Sequence, residues 1–170
     1  RLVPVKGFGL LVRAWEKVAA VHPDWKLEIW GDGPERGSLE RLVRGKGLEK
    51  NVLLRGATGE VREKLLQSSM LVFPSLFEGF GMVLVEAMAC GVPCVAFECP
   101  CGPRDVISPE EDGLLVPPGD TDALARAIIR LMEQPELRSR MGEAARNKAA
   151  RYAMDAVCAA WMDLFRQLNS

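Results

Sequence analysis

The sequence predicts a doubly wound α/β domain, in which helices cover both faces of a parallel sheet and a helical extension follows. Short apolar segments alternate with segments of helical periodicity, and those at 70–73 and 92–97 contain no polar residue. Strands that are apolar throughout are typical of a parallel sheet buried on both faces. Proline ends several segments, as Pro23 and Pro74 do, which fixes the boundaries between them.

The elements follow one another from a first helix, whose apolar residues recur at helical spacing from Leu11 to Val18. The predicted strands are residues 25–30, 52–54, 70–73, 92–97 and 114–116. The predicted helices between them are residues 35–46, 61–68 and 81–90. A strand before the first helix is expected upstream of Arg1, because Arg1 lies where such a strand would just have ended.

Three helices are predicted after the last strand. Leu124, Ile128 and Leu131 mark the first, and Pro135 lies at the start of the second, where a helix tolerates proline. The third carries an apolar stripe formed by Val157, Trp161, Leu164 and Leu168. Together they form the C-terminal extension of a single domain spanning residues 1–170.

Charge and composition exclude several functions. Lys and Arg number 22 against 23 Asp and Glu, so general nucleic-acid binding is not expected. No apolar run approaches the roughly 20 residues that span a bilayer. His22 is the only histidine, and the five cysteines lack zinc-ligand spacing, so no metal site is predicted and the thiols are expected to be reduced.

One glycine-rich segment holds the most unusual residues. Gly79 and Gly81 free the backbone ahead of the predicted helix at 81–90, whose N-terminal N–H groups and dipole suit a phosphate. Glu86 lies in that helix among apolar neighbours, where an unpaired carboxylate is costly. It is therefore expected to meet hydrogen-bond donors such as sugar hydroxyls. Glu78, at the mouth of the helix, would reach a more distal part of the same ligand.

Two cations precede the first helix. Arg1 and Lys6 would form a clamp for a diphosphate, whose charge needs compensation. The residues themselves also allow plainer interpretations. Arg1 and Lys6 would then be solvated surface cations, Glu78 a helix cap, and Glu86 the partner of one of these cations or of a backbone amide.

Taken together, these segments resemble glycosyltransferase family 4, whose members have the two-domain GT-B fold. The motifs that carry the resemblance are Arg1-Leu2, Lys6-Gly7, Gly31-Asp32-Gly33-Pro34, Pro74-Ser75, Glu78-Gly79-Phe80-Gly81, Glu86-Ala87-Met88-Ala89, Gly91-Val92-Pro93, Gly113-Leu114-Leu115-Val116 and Pro118-Gly119-Asp120. The resemblance covers nearly all of the chain. It implies that residues 1–170 are the C-terminal, Rossmann-like, donor-binding half of a GT-B enzyme, and that the N-terminal acceptor domain is absent.

The resemblance also implies a mechanism. Such enzymes retain the anomeric configuration by front-face attack, which requires no protein nucleophile. Arg1 and Lys6 would hold the diphosphate and stabilise it as the leaving group in place of a divalent metal, so no cofactor is expected. Glu78 would contact the donor sugar.

The donor would be held by further residues of the same segments. The resemblance implies that Glu86 binds the ribose hydroxyls and that the backbone of Gly79, Phe80 and Gly81 contacts the sugar and phosphates. Residues near Arg55 would meet the base, mostly through the main chain.

The implied function is that of a hexosyltransferase, which transfers a sugar from a nucleotide sugar to a glycan or lipid-linked acceptor. Residues 99–105 look like a loop of bacterial enzymes that build surface polysaccharides from UDP-sugars, although Cys101 departs from that pattern. The chain alone is expected to be inactive. The full-length protein is expected in the cytoplasm, with peripheral association at the inner face of the membrane. A GT-B nucleotide-sugar epimerase and a non-catalytic nucleotide-binding module are the alternatives.

Overall fold

The structure, a computed structural model, describes residues 1–168. In this range the strands are β1 (Leu27–Trp30), β2 (Val52–Gly56), β3 (Leu71–Phe73), β4 (Cys94–Phe97) and β5 (Gly113–Val116). The α-helices are α1 (Phe8–Val21), α2 (Arg36–Gly45), α3 (Val61–Leu66), α4 (Met82–Ala89), α5 (Pro103–Val106), α6 (Thr121–Glu133), α7 (Pro135–Ala149) and α8 (Met154–Leu168). Short 3-10 helices, Pro4–Lys6 and Ala150–Tyr152, precede α1 and α8. Every predicted element is present within a few residues of its expected bounds, and the short α5 was not predicted.

All strand pairs are parallel, as predicted, but they form two sheets. One sheet pairs β1 with β2, and the other has the order β3-β4-β5. The first residues of the chain link the two sheets at their carboxyl ends. The N–H of Leu2 donates to the carbonyl of Asp32 just beyond β1 (2.8 Å), and the N–H of Leu76 beyond β3 donates to Val5 (2.9 Å). The strand expected upstream of Arg1 stays a prediction.

Alternate residues of β4 face two different hydrophobic clusters. Val95 and Phe97 belong to the larger cluster, which includes residues of α1, α6 and β1. Cys94 and Ala96 belong to the smaller one, with α4 and residues of α7. All four residues are completely buried, which explains why this strand contains no polar residue. The doubly wound α/β class is thus confirmed.

The C-terminal extension divides into a packed part and an exposed part. Helices α6 and α7 contribute buried residues to the core. In contrast, every residue of α8 is exposed, including the predicted apolar stripe, in which Trp161 is 55% and Leu168 73% exposed. Among residues 1–168, no helix combines the length and the apolar character needed to cross a membrane.

Candidate functional site

A loop rich in glycine connects β3 to α4 at the carboxyl edge of the three-stranded sheet. Gly81 forms the N-cap of α4 in a left-handed conformation (φ 82°), which glycine adopts without strain. A Cβ atom at this position would lie 3.1 Å from Cδ1 of Leu84. No side chain within the described range caps α4. The first N–H groups of the helix are therefore left to water or a ligand, as the sequence predicted.

Glu78 and Lys6 form an ion pair beside this loop. Nζ of Lys6 donates to Oε1 of Glu78 at 2.5 Å, and the two side chains are 31% and 9% exposed, respectively. The interpretation of Glu78 as a helix cap is wrong, because its carboxylate accepts from Lys6 and Gly81 holds the N-cap position. The sequence singled out both residues, but it did not predict that they pair across 72 positions of the chain.

The loop after β4 packs against the glycine-rich loop. A Cβ atom on Gly102 would lie 2.5 Å from the carbonyl oxygen of Phe80 and 3.3 Å from Cβ of Glu78, so only glycine fits. Burial raises the pKa of the nearby Cys99 thiol, and the charge of Glu78 raises it further. The thiol therefore stays neutral and adds no negative charge beside Lys6. Cys101, also in this loop, is exposed and has a positive φ of 62°.

Glu86 is exposed, which corrects the expectation that apolar neighbours enclose it. It shares one face of α4 with Met82 and Ala89, both exposed, because residues three and four positions apart lie together on a helix. The apolar neighbours Leu84 and Val85 bury the other faces. Within residues 1–168 the Glu86 carboxylate has no hydrogen-bond or ion-pair partner, so neither of the predicted cations pairs with it.

The carboxylate of Glu86 faces an open cavity of about 510 Å³. The cavity is also lined by residues from the loop between β2 and α3, from α3, and from the C-terminal end of α4 with its cap. They are Gly59, Val61, Arg62, Glu63, Ala89 and Cys90. Their participation was not predicted; the resemblance implied only that residues near Arg55, at the end of β2, would meet the base. The cavity lies between the loop after β2 and α4.

Neither of the two predicted arginines takes part in the ion pair of Lys6 and Glu78 within residues 1–168. Arg55 lies on β2, and its guanidinium donates to Oε1 of Glu28 at 2.6 and 2.9 Å in an exposed pair. Arg1 is exposed at the end of the segment that Leu2 fastens to the turn after β1. In the described part of the chain, no hydrogen bond or ion pair joins the Arg1 side chain to Lys6 or Glu78.

The segments that carry the ion pair, the glycine-rich loop and the cavity match a known protein family. The family described as "Glycosyl transferases group 1" matches residues 1–148. The chain belongs to this family. The group 1 glycosyltransferase domain therefore includes the ion pair, the glycine-rich loop, the cavity and most of α7, whereas α8 lies beyond the matched residues.

Curated relatives of this group 1 domain are larger proteins. An exopolysaccharide phosphotransferase of Streptomyces coelicolor is 42% identical over 171 residues, which cover 100% of this chain and 18% of that protein. A poly(ribitol-phosphate) alpha-N-acetylglucosaminyltransferase of Staphylococcus aureus is 31% identical over 97% of this chain and 34% of that protein. The chain thus spans less than half the length of these relatives.

Solved structures share the fold of this domain closely. TarM of S. aureus, in a complex with fondaparinux, alpha-GlcNAc-glycerol and UDP, superposes with a TM-score of 0.91 at 30% identity, over 97% of this chain and 34% of TarM. HepE of Anabaena in complex with UDP superposes with a TM-score of 0.87 at 25% identity, over 100% of this chain and 47% of HepE. The predicted Rossmann-like α/β fold, which forms one half of the GT-B fold, is confirmed.

Proposed function

We propose that this chain is the C-terminal, donor-binding half of a retaining glycosyltransferase of family 4, and that its donor is a UDP-sugar. The observation that carries the proposal is the Glu86 carboxylate, which is exposed to a cavity of about 510 Å³ and has no partner within residues 1–168. Glu86 lies on α4, and the glycine-rich loop leads directly into the N-terminus of this helix. A ligand with hydroxyl groups at one end and phosphates at the other fits this order of groups.

The choice of UDP rests on the structural relatives. TarM and HepE were solved with UDP, HepE also with UDP-glucose, and the pneumococcal transferase GtfA with UDP and GlcNAc. In this chain the ribose would bind Glu86, and the base would lie against the loop after β2, near Gly59. Arg55 would contribute only its main chain, because Glu28 holds its side chain.

Lys6 would hold the diphosphate while it remains paired with Glu78. An ammonium group has three N–H donors, and the carboxylate of Glu78 accepts from one. The remaining donors, together with Arg1 and the N–H groups of Gly79 to Gly81, would bind the phosphate oxygens. Positive charge placed in advance stabilises the diphosphate as it leaves, which is what front-face attack by the acceptor requires.

The acceptor would be a glycan or a lipid-linked sugar, bound by an N-terminal half outside this chain. Several relatives act in the synthesis of polysaccharides or of glycoconjugates, so surface polysaccharide synthesis in the cytoplasm is the proposed setting. The exposed apolar stripe of α8, which includes Trp161 and Leu164, would pack against that half or at the membrane surface.

Labelled UDP-sugars, incubated with candidate acceptors, test this division of labour. We expect the 170-residue chain to bind a UDP-sugar but to transfer nothing beyond slow hydrolysis, because catalysis depends on holding both reactants together. The full-length protein should transfer the sugar with retention. Robust transfer by the chain alone would contradict the proposal, and release of UDP with an altered free sugar would identify an epimerase instead.

A further inference from the structure

The glycine-rich loop is held in place from three distant parts of the chain. At its start, the N–H of Leu76 donates to Val5, and Glu78 pairs with Lys6. Near its end, Gly102 lies against the carbonyl of Phe80. The third contact is the edge-to-face packing of Phe80 against Tyr152, with ring centroids 5.8 Å apart and an angle of 70° between the planes.

Tyr152 is the more buried partner in this contact. It ends the 3-10 helix between α7 and α8, and its ring is partly buried against the smaller hydrophobic cluster. Phe80, in contrast, is 39% exposed and lies in a segment without regular structure. Tyr152 is therefore the better anchored of the two residues, and its ring restricts the position of Phe80.

We propose that Tyr152 is a positioning residue for the glycine-rich loop. By packing against Phe80 it holds the backbone N–H groups of Gly79 to Gly81 in the orientation that receives a phosphate or donor sugar. The ligand part of this inference rests on the proposed function. Because α8 begins at Met154, the same contact also ties the position of α8 to the loop.

NMR relaxation of the unliganded protein tests the positioning without any ligand. In Tyr152→Ala we expect the backbone order parameters of residues 78–81 to fall towards the ~0.6 of flexible segments, because the loop loses one of its three supports. Tyr152→Phe keeps the ring and should keep the higher order parameters of the wild type. Trp161→Ala is the matched control, since it removes an aromatic contact with Phe165 (5.7 Å) on the exposed helix α8. Equal order parameters of residues 78–81 in Tyr152→Ala and Trp161→Ala would overturn the proposal.

Binding of UDP and of uridine supplies the second measurement. An edge-to-face aromatic pair is worth a factor of about 2 to 12 in an equilibrium constant, so Tyr152→Ala should weaken UDP binding by about that factor. Uridine affinity should not change, because the loop holds the phosphates and Glu86 the ribose. An equal loss for both ligands would show general damage to the fold and contradict a positioning role.

Two further outcomes separate this inference from the proposed function. If the order parameters respond as expected but the wild-type chain binds no UDP, the positioning stands and the proposed donor is wrong. If UDP binds and the order parameters do not respond, the donor stands and the positioning is wrong. Should Tyr152→Ala not fold, Phe80→Ala removes the same contact from its exposed side, and lower order parameters of residues 78–81 are again expected.

Discussion

The two glutamates of the candidate site, Glu78 and Glu86, differ in both burial and pairing. Glu78 is buried, and its carboxylate is already satisfied by Lys6 at 2.5 Å. Glu86, about one turn into α4, is exposed to an open cavity and has no partner in residues 1–168. A buried carboxylate without Lys6 would be costly, whereas an exposed one is hydrated at little cost.

This difference separates a residue that keeps the site in shape from one that is free to receive a ligand. Glu78 contributes to stability in the unliganded protein, and it fixes the ammonium group of Lys6 beside the glycine-rich loop. In the proposed function, Glu86 contributes little to stability and acts only when a ligand replaces its water. Substitutions at the two positions should therefore have opposite profiles, a loss of stability at Glu78 and a loss of affinity at Glu86.

The largest effect is expected for Glu86→Ala on UDP affinity. A hydrogen bond to a charged group contributes about 1.5–3 kcal/mol, so its loss should raise the dissociation constant for UDP by a factor of about 10 to 150. Glu63→Ala is the control, because Glu63 lines the same cavity from α3 and has no proposed contact with the ribose. Calorimetry with UDP measures both. Lower stability of Glu86→Ala at unchanged affinity would show that the carboxylate is structural.

The next effect concerns stability in the absence of ligand. Glu78→Gln should lower the free energy of unfolding by about 1–2 kcal/mol, since it leaves a partly exposed Lys6 without its charged acceptor. Glu86→Gln should change it by less than about 0.5 kcal/mol, as is usual at exposed positions. Urea denaturation measures both values. Equal losses for the two variants would remove the distinction between the glutamates.

The sequence predicted the fold more completely than the site. Periodicity located each strand and the longer helices, because alternation and helical spacing are local properties of the chain. The uninterrupted apolar residues of β4 correctly indicated burial on both faces. The two separate sheets were not predicted, since strand pairing depends on contacts between distant segments.

The errors at the site have the same physical origin. The apolar neighbours of Glu86 predict that they enclose it, but residues adjacent in sequence point to other faces of a helix. The pairing of Lys6 with Glu78 and the packing of Phe80 on Tyr152 each join residues more than 70 positions apart. The residue types in the sequence indicated the chemistry at the carboxyl edge of the three-stranded sheet. Only the fold shows which of these side chains are in contact.

The smallest effect is expected from removal of divalent cations. In the proposed function Lys6 and Arg1 supply the positive charge for the diphosphate, so the dissociation constant for UDP should be unchanged in EDTA. Calorimetry with and without added magnesium checks this. If chelation abolished binding, a metal ion rather than these cations would hold the diphosphate.

The central claim is that the cavity at Glu86 and the loop beside Lys6 bind two parts of one nucleoside diphosphate. Calorimetry of the wild-type chain with UDP and with uridine tests it most directly, because the two ligands differ only in the diphosphate. We expect UDP to bind at least about 10-fold more tightly, a difference that charge-assisted hydrogen bonds readily supply. Equal, weak affinities for the two ligands would contradict the claim.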